Sequence, residues 1–278
     1  MEALEGKTAV VIGGGGGIGR GTSLGLADAG MHVVVADIEL ESATRVADEI
    51  VAGGGSARAR QVDATDSASL AELAAFAESE SGGVHVLSNN VGVIATRNLV
   101  ESTEADWAWY LEFNVMAIVR GVNAFLPHLR AHGEPAHIVN TSSMAGLLAL
   151  PPQATGGVDT GLYTTTKHAL VGYCSMLRAQ LEPEGIGVSV LCPGLVAGNL
   201  SATAARNRPA RYGGPEDVAE RTPPPSAMPN ADIGPSVVAG IRANRLYIFT
   251  HHDAAIADML QARFDALRAD FEAGAADT

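Results

Sequence analysis

Tyr163 and Lys167 stand four residues apart, so on a helix they share one face with their side chains in reach of each other. A phenol is ordinarily a weak acid, with a reference pKa of about 10. A neighbouring ammonium stabilises the phenolate and lowers that value, which would make the pair a general acid–base centre. An isolated pair with this spacing reads more readily as an amphipathic helix whose lysine lays its stem along apolar surface. Here the residues at 169–177 are apolar enough to form a buried helix, and Ser142-Ser143 follows a strand-like run upstream. Both features favour the chemical reading.

A second constellation lies near the start of the chain. The apolar run 8–12 leads straight into Gly13-Gly14-Gly15-Gly16-Gly17-Ile18-Gly19, and a helical pattern then continues through Ala29 to Gly30. A tight glycine turn lets the backbone approach a pyrophosphate, and the helix N-terminus offers unpaired N–H groups and the positive end of its dipole. A flexible linker would not be framed by a strand and a helix. The next strand ends at Asp37, about 20 residues beyond the turn, where a carboxylate can accept hydrogen bonds from ribose hydroxyls. It would repel a 2′-phosphate, and neither Ile38 nor the glycine turn supplies a basic partner, so NAD is expected over NADP. The plainer alternative for Asp37 is a strand-end or helix-capping aspartate.

The elements that must hold these residues alternate along the chain. Runs at 8–12, 32–36, 57–61, 84–88, 136–141 and 187–191 read as strands, with 245–250 as a seventh, and the stretches between them read as helices. Most of the strands are apolar throughout, as expected when helices cover both faces of a parallel sheet. The pattern predicts an α/β, doubly wound, Rossmann-type parallel seven-stranded sheet in one catalytic domain over 1–278. The segment 197–235, rich in Pro, Arg, Ala and Gly, is too long for a simple connection and reads as a functional lid or as disordered chain. A final helix is expected over 252–273, its apolar face carried by Ile256, Met259, Leu260, Phe264, Leu267 and Phe271.

Taken in order, Gly13-x3-Gly17-x-Gly19, Asn89-Asn90-Val91-Gly92, Ser143, Tyr163-x3-Lys167 and Pro193-Gly194 make the chain resemble the short-chain dehydrogenase/reductase family, in its single-domain alcohol dehydrogenase and ketoreductase branch. The runs 137–143 and 208–213 also resemble dehydrogenases that oxidise benzylic secondary alcohols of lignin-derived aryl ethers. The resemblance implies a catalytic set of Asn114, Ser143, Tyr163 and Lys167. In it Ser143, the second of its pair, bonds the substrate oxygen, Lys167 also grips the nicotinamide ribose, and Asn114 holds a proton-relaying water. It implies cofactor contacts from Gly13, Gly17, Ile18, Gly19, Asp37, Asp63, Asn90, Gly92, Tyr163, Lys167, Pro193, Gly194 and Val196, with Asp63 on the adenine. Hydride movement between an alcohol carbon and the nicotinamide needs a matching proton movement at oxygen, the task given to Tyr163. No metal is assigned. A homotetramer or homodimer is what the resemblance implies for assembly.

The chain departs from the family pattern in three places. Ile12 stands where a threonine usually precedes the first glycine, and Gly198 where a threonine often contacts the nicotinamide carboxamide, which leaves that contact to Val196 backbone or Asn199. The connection between Ser143 and Tyr163 is long, so 151–160 and 200–221 are expected to wall a bulky, apolar or aromatic alcohol or ketone substrate. The alternatives are an NADPH-dependent ketoreductase and a non-catalytic nucleotide-binding regulatory protein.

Composition narrows the partners. Acidic residues outnumber basic ones 31 to 18, for a formal net charge of −13, and no basic cluster stands out, which disfavours nucleic acid and anionic membranes. With no basic, apolar leader and no run near the roughly 20 apolar residues that span a bilayer, a cytoplasmic protein without a membrane partner is expected. Cys174 and Cys192 sit in apolar runs and read as small buried hydrophobes.

Overall fold

The computed structural model describes residues 1–95, 98–150, 159–218, 220 and 222–276. Seven parallel strands, β1 (Thr8–Ile12), β2 (His32–Asp37), β3 (Ser56–Gln61), β4 (Val86–Asn89), β5 (Ala136–Thr141), β6 (Ile186–Cys192) and β7 (Tyr247–Phe249), form one sheet in the order β3-β2-β1-β4-β5-β6-β7. The doubly wound sheet expected from the apolar runs is what forms. Alternate side chains of each strand feed two cores. Val10 and Ile12 pack with α3 (Ser67–Ser81), α5 (Ala117–Ala131) and α6 (Gly161–Leu181), whereas Ala9 and Val11 pack with α1 (Gly17–Asp28), α2 (Leu40–Ala52) and α8 (Ile233–Arg242). Each fully buried Val, Leu or Ile side chain contributes about 1.5–3 kcal/mol relative to exposure. On one face α1 and α8 approach so closely that a Cβ on Gly25 would overlap the Gly234 backbone.

Strand order reverses between β1 and β4, which opens a crevice at their carboxyl ends where ligands of such sheets bind. The glycine turn follows β1, Asn90 follows β4, and Ser142-Ser143 follows β5. Between β4 and α5, α4 (Glu104–Leu111) begins with a capping box in which Thr103 and Asp106 exchange hydrogen bonds, and it passes into α5 through a π turn at Glu112–Met116.

Several expected boundaries change. The fourth strand starts at Val86 and not at 84, because Val84 is a core residue ahead of the sheet ladder and the apolar run does not mark where pairing begins. The seventh contracts from 245–250 to Tyr247–Phe249, an edge strand paired with β6. Segment 197–235 contains α7 (Leu200–Arg206), short 3-10 turns at Ala210–Tyr212 and Asn230–Asp232, and the first turn of α8. The last helix, α9, spans Ala254–Ala276, but its expected apolar face is only partly used: Phe264, Leu267 and Phe271 are 62%, 57% and 79% exposed. Periodicity marks the helix, and within one chain the outer part of its apolar face is left exposed. Arg263 marks where contact with the rest of the chain is strong, its guanidinium bonding the Leu147 carbonyl and lying 2.8 Å from His168 Nε2.

Candidate active site

At the carboxyl end of β5, Ser143 caps the 3-10 turn Met144–Gly146, its Oγ accepting the Ala145 N–H at 3.1 Å. Tyr163 lies in the first turn of α6, near enough to Ser143 for the serine side chain to act on its titration. Lys167, one helical turn on and 3% exposed, donates from Nζ to the Thr141 carbonyl at 2.8 Å and stands 5.5 Å from the centre of the Tyr163 ring. The strand end and the helix start thus bring together three residues separated by up to 24 positions in sequence. Ser142, the competing serine, is buried and donates to the Lys167 carbonyl at 2.8 Å, a bond that pins β5 to α6. That leaves Ser143 as the serine beside Tyr163.

The electrostatics depart from expectation. Burial pushes the Tyr163 phenol above its ordinary value, with the nearby Ser143 hydroxyl opposing it, and burial draws Lys167 down to about 8. Burying the ammonium weakens its own charge as well as disfavouring the phenolate, so proximity to lysine alone does not acidify the tyrosine. Both buried cysteines are pushed up, to about 11 for Cys174 and about 12 for Cys192, as expected of inert packed thiols.

Asn114 sits fully buried in the π turn. Its Nδ2 donates to the Val93 carbonyl at 3.1 Å and to Thr166 Oγ1 at 3.0 Å, and its Oδ1 accepts the Val93 N–H at 2.7 Å. Both amide hydrogens are used, so its side chain could meet a relay water only through the second lone pair of Oδ1. A Cβ on Gly92 would stand 3.1 Å from that oxygen and 3.3 Å from Lys167 Nζ, which explains a glycine there.

The glycine turn has the shape of a phosphate cradle. Gly13 has φ +74° and packs on the Asn90 backbone, and a Cβ on Gly19 would overlap the Gly13 carbonyl oxygen. A Cβ added to Gly16 or Gly17 would meet nothing within 4 Å, so open space lies beside the N-terminus of α1, whose first N–H groups have no partner within the helix. Asp37 accepts the Gly15 N–H at 2.9 Å through Oδ2 and the Glu39 N–H at 3.1 Å through Oδ1. Burial raises Asp37 above the usual carboxylate range, and those backbone bonds oppose the shift. Each of its oxygens keeps a lone pair for a ribose hydroxyl. Asn90 accepts from Thr141 Oγ1 at 2.6 Å, linking the cofactor side to the strand whose last carbonyl holds Lys167. Asp63, beyond β3, is exposed and folds an Asx turn onto Thr65. The residues present fit a nicotinamide dinucleotide.

Near Pro193-Gly194, sequence reasoning missed His251, whose Nδ1 accepts the Gly194 N–H at 3.2 Å and whose ring fills the space a side chain at Gly194 would need. Val196 bridges to Met228, Asn199 is bonded to Glu220, and Gly198 packs against Gly17. Residues 151–158 of the expected substrate wall lie outside the described residues.

Segment 197–235 supplies the other residues that the sequence did not reveal. Asn207 donates to Glu39 at 3.3 Å and Arg206 lies 3.6 Å from it, so an amide and a guanidinium reach the segment after Asp37 from far along the chain. Arg208 bonds Asp106 at 2.7 Å and also bonds Glu216, and its guanidinium lies 4.6 Å from the centre of the Trp109 ring. Apart from the short link to Glu216, these contacts join segments about 100 or more residues apart, and no local pattern signals them. Burial alone would raise Asp106, but hydrogen bonds from Thr103 and Arg208 outweigh it and bring the group from 3.8 to about 2. Across that window the unfolded chain takes up a proton that the folded chain refuses, so the stabilisation is present above it and is lost as pH falls. The thermal midpoint of the wild type should therefore drop more steeply between about pH 4 and pH 2 than that of Asp106→Asn, as read by circular dichroism.

A parallel sheet with a phosphate cradle at its switch point and a Ser–Tyr–Lys group beside it defines a nicotinamide-dependent oxidoreductase. The short chain dehydrogenase family model matches residues 7–209, and the chain belongs to that family. It is 34% identical over 221 residues to a cyclohexanol dehydrogenase of Acinetobacter sp. strain SE19, covering 77% of this chain and 85% of that one. It is 32% identical over 214 residues to a C alpha-dehydrogenase of Sphingobium sp., covering 77% of this chain and 68% of that one. A short chain dehydrogenase/reductase of Burkholderia phymatum, solved in complex with NAD, superposes with a TM-score of 0.85 at 33% identity, covering 97% of each chain. Among the described residues no helix is long and apolar enough to cross a membrane.

Proposed function

We propose that this chain is an NAD-dependent dehydrogenase interconverting a secondary alcohol and its ketone, with a bulky apolar or aromatic substrate. The observation that carries the reading is the convergence of Ser143, at the end of β5, with Tyr163 in the first turn of α6 and buried Lys167 one helical turn on, 5.5 Å from the centre of the Tyr163 ring. Bound nicotinamide supplies the carbon that accepts or returns the hydride. In the oxidation direction Ser143 orients the alcohol oxygen and Tyr163 takes its proton; in reduction Tyr163 returns it to the carbonyl oxygen. Lys167 fixes the position of the phenol from behind and places a cationic group toward the ribose. Asn114 holds the 92–95 loop against α6, and its remaining lone pair is the side-chain acceptor for a relay water.

The aromatic cluster that includes Tyr163, formed by Val93, Trp109, Tyr110, Leu162 and Ala204 with neighbouring Tyr212, supports an apolar substrate. Similarity to a cyclohexanol dehydrogenase supports a secondary alcohol. The test is the absorbance of reduced nicotinamide while aryl, alicyclic and steroid alcohols are offered with NAD and then NADP. Tight cofactor binding with no turnover of any of them would defeat the reading in favour of a regulatory protein. A dimer or tetramer belongs to the same proposal and is read by sedimentation.

Asp37 supports NAD, as does the relative solved with that cofactor. Asp37→Ser should lower the ratio of kcat/KM with NAD to that with NADP by about 10- to 100-fold, the worth of a charged hydrogen bond to the ribose. Loss of the Gly15 contact affects both cofactors, so the ratio isolates discrimination between them.

A further inference from the structure

We propose that Arg208 is a positioning residue that fastens the lid to the wall of the substrate pocket and thereby sets which substrates fit, an inference that rests on the alcohol dehydrogenase reading above. Arg208 lies just beyond α7 and its side chain is 5% exposed. One nitrogen reaches Asp106 at the start of α4, another reaches Glu216 on the returning limb of the lid, and the guanidinium lies over the Trp109 ring. Gly213 completes the seat: at φ +114° it turns the chain back, and a Cβ there would come within 3.5 Å of the guanidinium carbon. A buried guanidinium is costly unless it is well engaged, so this arrangement holds only while the lid limbs and α4 stay together.

The residues flanking Arg208 pack into the apolar cluster against which Tyr163 lies. Ala204 on α7 and Tyr212 in the following turn share one apolar cluster with Trp109, Tyr110 and Leu162, and Tyr163 packs against that cluster. Arg208 therefore pulls the lid's contribution onto the face that carries the acid–base tyrosine. At its other end the lid touches Glu39 through Arg206 and Asn207, where Arg206 and Glu39 are 54% and 40% exposed. Exposed pairs of that kind contribute little, so the firm attachment is the substrate-side one. Ser143, Tyr163 and Lys167 are held by β5 and α6 and receive none of their hydrogen bonds from Arg208. Loosening the lid should change how a large substrate is gripped and leave the proton chemistry in place.

The experiment compares Arg208→Met, Arg208→Lys and the neutral triple variant Asp106→Asn/Arg208→Met/Glu216→Gln, which removes the penalty of stranded carboxylates, each checked for folding by circular dichroism. With a bulky cyclic alcohol, Arg208→Met and the triple variant should raise KM by about tenfold with kcat nearly unchanged, the signature of lost uniform binding. With 2-propanol, KM should stay close to wild type. Arg208→Lys should recover part of the loss by reaching one carboxylate. Limited proteolysis should cut faster within 197–218 in both methionine variants. Equal KM changes for large and small alcohols, a fall in kcat alone, or a wild-type KM in the folded triple variant would overturn the proposal. If the wild type oxidised no alcohol, the dehydrogenase reading would fail instead; proteolysis would then still test the fastening, and unchanged cutting would overturn it.

Discussion

Tyr163→Phe is expected to lose about 10²- to 10⁴-fold in kcat, the range contributed by a positioned general acid–base, while its affinity for NAD stays close to wild type. The substitution removes one oxygen and leaves the ring in the cluster it shares with Trp109, Leu162 and Ala204. Lys167 keeps its bond to the Thr141 carbonyl, and the glycine turn lies on another strand end, so neither the fold nor the cradle depends on the phenolic hydroxyl. Steady-state kinetics with saturating cofactor, set beside a fluorescence titration of NAD, separates the two effects. Turnover near the wild-type rate would remove Tyr163 from the proton chemistry. Because burial raises the pKa of the phenol, the pH profile of kcat in the oxidation direction should rise toward alkaline pH as the phenolate forms.

Gly19→Ala is the second large effect, and it acts on binding. A Cβ at this position would overlap the carbonyl oxygen of Gly13 and press on the Gly13 and Gly14 backbone, where no side chain can move aside. Overpacking of this kind costs about 1–3 kcal/mol, and here the strain falls on the turn that must receive the pyrophosphate. The expected result is loss of measurable NAD binding in a calorimetric titration, with a lowered thermal midpoint. Gly16→Ala is the control, since nothing stands within 4 Å of its Cβ position. It should bind NAD far better than Gly19→Ala, and equal behaviour of the two would show that the turn does not form the cradle.

The parts legible in the sequence are those set by local rules. Unbroken apolar runs mark most of the strands closely because a sheet covered on both faces leaves no polar alternation, and the glycine turn is legible because its neighbours differ so sharply in pattern. Spacing along a helix places Lys167 beside Tyr163. The role of Ser142 is not legible: which of two adjacent serines faces the tyrosine depends on how β5 meets α6, and that is a tertiary fact. His251, Arg208 and Glu39 escape for the same reason, since their partners lie 57, 102 and 168 positions away. The acidity of Tyr163 is beyond local reading because pair spacing carries the attraction of the ammonium and says nothing about the burial that both groups share. In α9, periodicity marks the face of the helix but cannot say where its neighbours end.

Both tryptophans of the chain, Trp107 and Trp109, lie on α4; Trp109 belongs to the apolar cluster, and Trp107, like Tyr163, packs against it. The protein's indole emission therefore originates entirely from α4, beside the cluster on which Tyr163 packs. One of the two emitters lies under a guanidinium whose charge shifts its excited state. Reduced nicotinamide bound beside Tyr163 would sit within range to accept the excitation energy. Cofactor reduction can thus be followed optically in the unlabelled chain.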